Sequence, residues 1–169
     1  MAAFAPGMGS HGDMFLKIDG IEGESRDHKH KNEIQLMSFT FGATQAGSSG
    51  IGGGAGIGKA QFQDLHVTKY VDKATPKLLE ALATGKHTAK VVLVCRKAGG
   101  EQHEYLQWTL SEVLISSLQI SGSGSEAIPS ESLTMNFSKI EVEYKAQDEK
   151  GNLTGVVKAG WNLAENKKV

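Results

Sequence analysis

GATQAGSSGIGGGAGIG, Gly42 to Gly58, holds eight of the chain's 21 glycines. Two runs with strand-like alternation frame it: IQLMSFTF, Ile34 to Phe41, and KAQFQDLHVTKY, Lys59 to Tyr70. Ordering each backbone residue costs about 1–2 kcal/mol, and glycine loses the most freedom. Within the stretch only Ile51 and Ile57 are large and apolar, so little side-chain burial offsets that cost. The segment therefore reads either as a disordered tether or as a long extended loop that becomes ordered against another surface. A phosphate cradle is the competing reading. It fails because Ala60 follows Lys59 where a P-loop needs Ser or Thr for magnesium, and because a strand, not a helix, comes next.

Outward from the loop the chain reads as mainly β. DMFLKI, Asp13 to Ile18, is a first strand, and Asp19 to Asn32 is a polar turn. In Ile34 to Phe41, Gln35, Met37, Phe39 and Phe41 share one face, and Ile34, Leu36, Ser38 and Thr40 the other. The apolar phase of Lys59 to Tyr70 switches between Phe62 and Leu65, which predicts a bulge. Thr75 to Thr84 is the one helix: Thr75 as N-cap, Pro76 at the first position, a stripe of Leu78, Leu79 and Leu82, and Gly85 as the stop. Lys90 to Arg96 and Glu104 to Leu110 flank Lys97-Ala98-Gly99-Gly100, a hairpin signal. Leu106, Trp108, Leu110, Leu114, Leu118 and Ile120 keep one phase, with Val113 and Ile115 opposite. Ser132 to Tyr144 is a long strand with a bulge predicted near Ser138; Lys150-Gly151-Asn152 turns the chain, and Trp161 anchors the tail.

Many strands, repeated bulges and one short helix predict a β-barrel of antiparallel strands with a flanking α-helix. Strands apolar on both faces predict a further buried surface between subunits. Residues 1–12 read as a flexible lead-in and 13–169 as one domain. The formal net charge of −1 gives no electrostatic case for nucleic acid or an anionic membrane. No run reaches transmembrane length, and the start has no signal-peptide pattern.

Candidate chemistry is sparse. Cys95, the single cysteine, reads as a packed thiol. His28 and His30 lie in a charged turn and read as solvated; His66 reads as packed or facing an interface. No GxSxG, HExxH or CxxC motif occurs. The expectation is a non-enzyme without catalytic residues, metal or cofactor. If Phe39 and Phe41 pack inward, Ser38 and Thr40 face outward, where they can contact cargo.

Several segments together resemble the haemolysin-coregulated (Hcp) proteins, the inner-tube family of the bacterial type VI secretion system. They include Asp13-Met14-Phe15-Leu16-Lys17-Ile18 with Gly23-Glu24-Ser25, the glycine loop running into Gly58-Lys59, Phe62-Gln63-Asp64-Leu65, and Thr68-Lys69-Tyr70-Val71-Asp72-Lys73. Further on come Thr75-Pro76-Lys77-Leu78, Gly85-Lys86-His87, Arg96-Lys97-Ala98-Gly99-Gly100, Asn136-Phe137-Ser138-Lys139-Ile140 and Gly160-Trp161-Asn162-Leu163. Phe39 and Phe41 stand where the family often carries tryptophan. The resemblance implies a barrel subunit that forms hexameric rings stacked into a tube, with itself as chief partner. A spike protein at the tip, a contractile sheath and baseplate, and small effectors in the lumen are the others. It implies synthesis in the bacterial cytoplasm and export without a signal peptide. It also implies that the loop reaches the adjoining ring, which assigns ring stacking to Gly47, Gly50, Gly52, Gly53, Gly54, Gly56 and Gly58. The alternative is an isolated β-barrel ligand-binding module in which Trp108 and Trp161 stack on a sugar. A secreted enzyme with a C-terminal toxin domain is a third class, for which the stretch up to Val169 is expected to be too short.

Overall fold

The computed structural model describes residues 12–46, 59–98 and 102–169. They form β1 (Asp13–Ile18), β2 (Ile34–Gln35), β3 (Ser38–Thr40), β4 (Ala43–Thr44), β5 (Gln61–Phe62), β6 (Leu65–Tyr70) and α1 (Thr75–Thr84). After the helix come β7 (His87–Arg96), β8 (Glu104–Ser121), β9 (Ser130–Asn136), β10 (Lys139–Gln147), β11 (Leu153–Asn162) and β12 (Lys167–Lys168). The fold is the expected mainly β one with a single short helix among the described residues. Among the described residues every strand pair is antiparallel.

The large sheet curls on itself. β1 pairs β7, β7 pairs β8, β8 pairs β9, β9 pairs β6, and β6 pairs β3. The return to β1 runs through β2, which continues into β3. Leu36 N–H donates to the Met14 carbonyl (2.9 Å), and Met37 N–H donates to the Thr68 carbonyl (2.8 Å). Two adjacent residues thus bond to strands on opposite sides, and the cycle closes. The single phase read for Ile34 to Phe41 is corrected here. Ile34 and Leu36 are buried, Met37 and Ser38 are both exposed, and Phe39 and Phe41 pack against the core. The phase flips where the chain exchanges β1 for β6.

Rows of side chains across paired strands build the core. Ile18, Val91, Leu110 and Ile140 form one inward row; Phe39, Val67, Leu133 and Leu118 form another. β8 does not keep one phase. Glu112 has a left-handed φ of 51°, and beyond it Val113 and Ile115 turn inward as fully buried core residues. The chain also breaks at Phe137–Ser138, where a bulge was expected; Ser138 N–H bonds the Ser111 carbonyl. The switch between Phe62 and Leu65 is a break between β5 and β6, because Phe62 belongs to a separate ribbon with β4.

The helix runs over the expected residues and stops at Gly85, whose φ of 63° suits glycine. Its N-cap is Ala74, not Thr75, and no side chain caps it there. Thr75 is occupied elsewhere: its hydroxyl accepts from Asp72 N–H (3.2 Å) and donates to Glu131 (3.0 Å). Glu131 also takes the ammonium of Lys69, and both side chains are fully buried. Lys69 further bonds Asp72 (2.8 Å) and the Tyr70 carbonyl (2.9 Å). This cluster ties the helix entry to the inward ends of β6 and β9.

Residues 19–33 lie as a strap on the outside of β1 and β7. Arg96 reaches Asp13 (2.8 Å) and Asp27 (2.7 Å) and sits over the Phe15 ring. His30 stacks on Phe15 with centroids 4.3 Å apart, and its Nδ1 is 2.8 Å from Glu33. His30 is buried, which corrects the solvated reading; His28 is exposed as expected. The strap also explains part of the doubly apolar pattern. Phe15 and Val94 are adjacent on the outer face and buried within this same chain, so here no subunit contact is needed.

Removing one member of a buried ion pair strands the other charge, at a cost of about 3–5 kcal/mol. Lys69→Met is therefore expected to lower stability by that much in urea unfolding at fixed protein concentration. Lys69→Met with Glu131→Leu should recover most of the loss; additive losses would refute the pairing. Asp27 supplies a second test. The Arg96 hydrogen bond holds its carboxyl down at about 2, against 3.8 when unpaired. Its stabilisation, on the order of 2 kcal/mol, is full above pH 4–5 and lost as pH falls through about 2. Asp27→Asn should be less stable than the parent at pH 7 and equal to it near pH 2. A gap that persists at pH 2 would contradict the assignment.

Candidate functional surface

Opposite the apolar rows, the outer face of β3, β6, β9 and the second half of β8 carries a neutral polar wall. One row is Ser38, Thr68, Ser132 and Gln119; the next is Thr40, His66, Thr134 and Ser117. The wall follows from the closure, because inward Phe39 and Phe41 force Ser38 and Thr40 outward. Both are exposed, as the sequence predicts for that packing.

The hydroxyls bond one another. Ser38 pairs with Thr68 (2.5 Å), and Thr134 meets both Ser117 (2.6 Å) and Ser116 (2.7 Å). At one end Asp64 accepts from Ser116 (2.5 Å) and Asn136 (2.9 Å). No imidazole takes part in these bonds, and the one carboxylate among them, Asp64, holds Ser116 and Asn136 at the edge of the wall. The two rows carry neither carboxylate nor ammonium. Such a wall suits shallow, exchangeable hydrogen bonding to a polypeptide surface.

The β4–β5 ribbon stands beside this wall, with Ala43 opposite Phe62 and Thr44 opposite Gln61. It forms the described base of the glycine loop. Gly47, Gly50, Gly52, Gly53, Gly54, Gly56 and Gly58 lie outside the described residues. Phe41, at the ribbon's root, lies 5.0 Å from the Trp108 ring and 6.2 Å from Phe137. Trp108 and Trp161 both pack against the core, so neither is the open stacking platform of the ligand-module reading.

Other candidates are placed as follows. Cys95 is buried, and burial pushes its thiol up to about 11, so it is a poor nucleophile. His66 stands in the polar wall, half-buried. A groove of about 730 Å³ lies between the strap and the helix. Lys17, Lys29, Lys31, Lys73 and Lys77 line it, with Asp19, Glu22 and Glu33 offsetting part of the charge. Among the described residues no three His, Cys, Asp or Glu side chains converge as a metal site.

The sequence predicts a strand to Tyr144 and a turn at Lys150-Gly151-Asn152, but not the returning strand β11. Beyond Tyr144, β10 pairs only with β11, and Leu153, Val156 and Val157 are exposed there. β11 lacks clear alternation, and its charge pattern is sparse, so nothing in LTGVVKAGWN announced a strand.

Comparison with known proteins gives one consistent result. The family described as "Type VI secretion system effector, Hcp" matches residues 15–144. Protein hcp1 of Pseudomonas aeruginosa is 47% identical over 156 residues, covering 91% of this chain and 96% of that protein. A solved "type six secretion system protein" superposes with a TM-score of 0.87 at 33% identity, covering 93% of this chain and 99% of that one. Hcp1 from Salmonella typhimurium gives a TM-score of 0.77 at 35% identity over 94% of this chain and 99% of that one. The β-barrel with one flanking helix is thus the fold these proteins share, and the chain belongs to the Hcp family of type VI secretion system proteins.

Proposed function

We propose that this chain is the tube subunit of a type VI secretion system. Six copies form a ring, rings stack, and the resulting channel holds small effectors. A spike protein caps the tip, and a sheath and baseplate drive the tube out of the cell. The extent of the family likeness, nearly end to end on both partners, carries this reading. The geometry supports it in two ways. The ribbon of β4 and β5 holds the two ends of the glycine loop together, as suits an arm that reaches an adjoining ring. The hydroxyl wall bearing Ser38 and Thr40 is neutral and ordered by its own bonds, as suits a channel lining that holds cargo and lets it go.

The role is structural and carrying; no catalytic residue is assigned. Among the described residues no helix is long and apolar enough to cross a membrane.

Size-exclusion with light scattering tests the reading. A mass six times the 18.0 kDa chain is expected, and a monomer at all concentrations would overturn it. Thr40→Gln should reduce cargo retention severalfold with ring mass unchanged, because a longer side chain crowds the wall; unchanged retention removes the cargo role of Ser38 and Thr40. Hydrogen exchange over residues 42–58 should be fast in free rings and slowed on stacking. Strong protection in free rings would count against the inter-ring arm.

A further inference from the structure

The inward row formed by Met14, Cys95, Leu106, Tyr144 and Val157 runs from the core into open solvent. Cys95 is 3% exposed, Tyr144 46% and Val157 67%. The barrel interior thus continues onto a hairpin whose side chains Tyr144 and Val157 stay exposed among the described residues. Tyr105 meets the Tyr144 ring edge-on at 6.5 Å, and Tyr144 stays exposed beside it. On the other face of the hairpin Val156 and Leu153 are also exposed. Among the described residues, four of the nine exposed large apolar side chains therefore crowd onto one two-stranded element.

β11 is also a sheet edge. It bonds β10 along its length, but β12 pairs only with Trp161 and Asn162. Val169 N–H also donates to the Gly160 carbonyl (3.2 Å), so residues 153–159 present the open strand edge among the described residues, flanked by apolar side chains, a combination that invites another chain. Folded proteins keep such an edge only if it is blunted or occupied. Here no proline interrupts it, and its one charge, Lys158, is spent on Glu143 at 2.7 Å.

We infer that the β10–β11 hairpin is the surface by which one copy of this chain holds the next within a ring. The inference rests on the self-assembly reading and names the part of the chain that performs it. Size supports a second copy as the occupant. The open part of β11, residues 153–159, is about 23 Å long. Covering its edge and about 10 Å on each face buries roughly 500 Å², more than half of the ~800 Å² per partner of a stable interface. Charge points the same way: Glu143 is already engaged by Lys158 and Lys145, so the hairpin offers no field to steer a strongly charged partner. The receiving surface is a different patch on the neighbour. If β11 paired with β11 about a two-fold axis, the assembly would stop at a dimer, whereas a ring needs a head-to-tail contact.

The test uses the full chain. Val157→Lys alters a side chain that is open in the single copy, so far-UV circular dichroism of dilute protein should be unchanged. It is expected to raise the concentration for half-assembly at least about tenfold, read by light scattering. A second variant, Val157→Cys, is probed with a bulky maleimide; buried Cys95 supplies a quiet background. Labelling should be at least about tenfold slower in the assembled fraction than in the monomer. If the parent chain forms rings, and Val157→Lys forms them at the same concentration, the hairpin assignment is overturned and the tube reading stands. If the parent never associates, the tube reading itself falls. Equal labelling rates in both fractions would also overturn the hairpin assignment.

Discussion

Everything in this barrel hangs on two neighbouring peptide units, those of Leu36 and Met37, which bond to strands on opposite sides. An antiparallel sheet becomes a closed wall only when some strand serves both edges, and the chain from Ile34 to Thr40 does so by changing partners midway. The change turns the side-chain phase. Ile34 and Leu36 point inward before it, Phe39 and Phe41 after it, and Ser38 and Thr40 are left on the outer face. One backbone constraint thereby sets both the core and the hydroxyl wall.

The energetic logic is one of rows. Inward rows are apolar until the helix end, where Lys69 and Glu131 replace them as a buried pair. A pair of that kind adds little net stability over a hydrophobic substitute. What it does here is fix one docking geometry for α1, through Asp72 and Thr75. At the other end the row simply runs out into solvent on the hairpin. The outer face of β1 and β7 is closed by a strap whose anchor, Arg96, draws on Asp13 and Asp27.

Features encoded locally were legible from sequence; those encoded across distance were not. The helix was readable to its end residues, because Pro76, the leucine stripe and Gly85 act within ten residues. Even there the cap was misread, since Glu131, fifty-six positions away, draws the Thr75 hydroxyl. The burial of His30 depends on Phe15 and that of Arg96 on Asp27, and neither partnership leaves a periodic trace. β11 escaped notice because an exposed strand has no reason to alternate. The outward placement of Ser38 and Thr40 was readable; that Ile34 and Leu36 also turn inward was not, because the partner change at Met37 has no sequence signal.

The proposed tube role draws on three features of the described barrel: a hydroxyl-bearing outer wall, an apolar hairpin edge and the β4–β5 ribbon at the base of the glycine loop. Cryo-electron microscopy of the purified full chain addresses this most directly. The account predicts annular particles with six-fold symmetry in which the strands bearing Ser38 and Thr40 face the central opening. Solid particles without a channel, or rings with those strands on the outer rim, would contradict it.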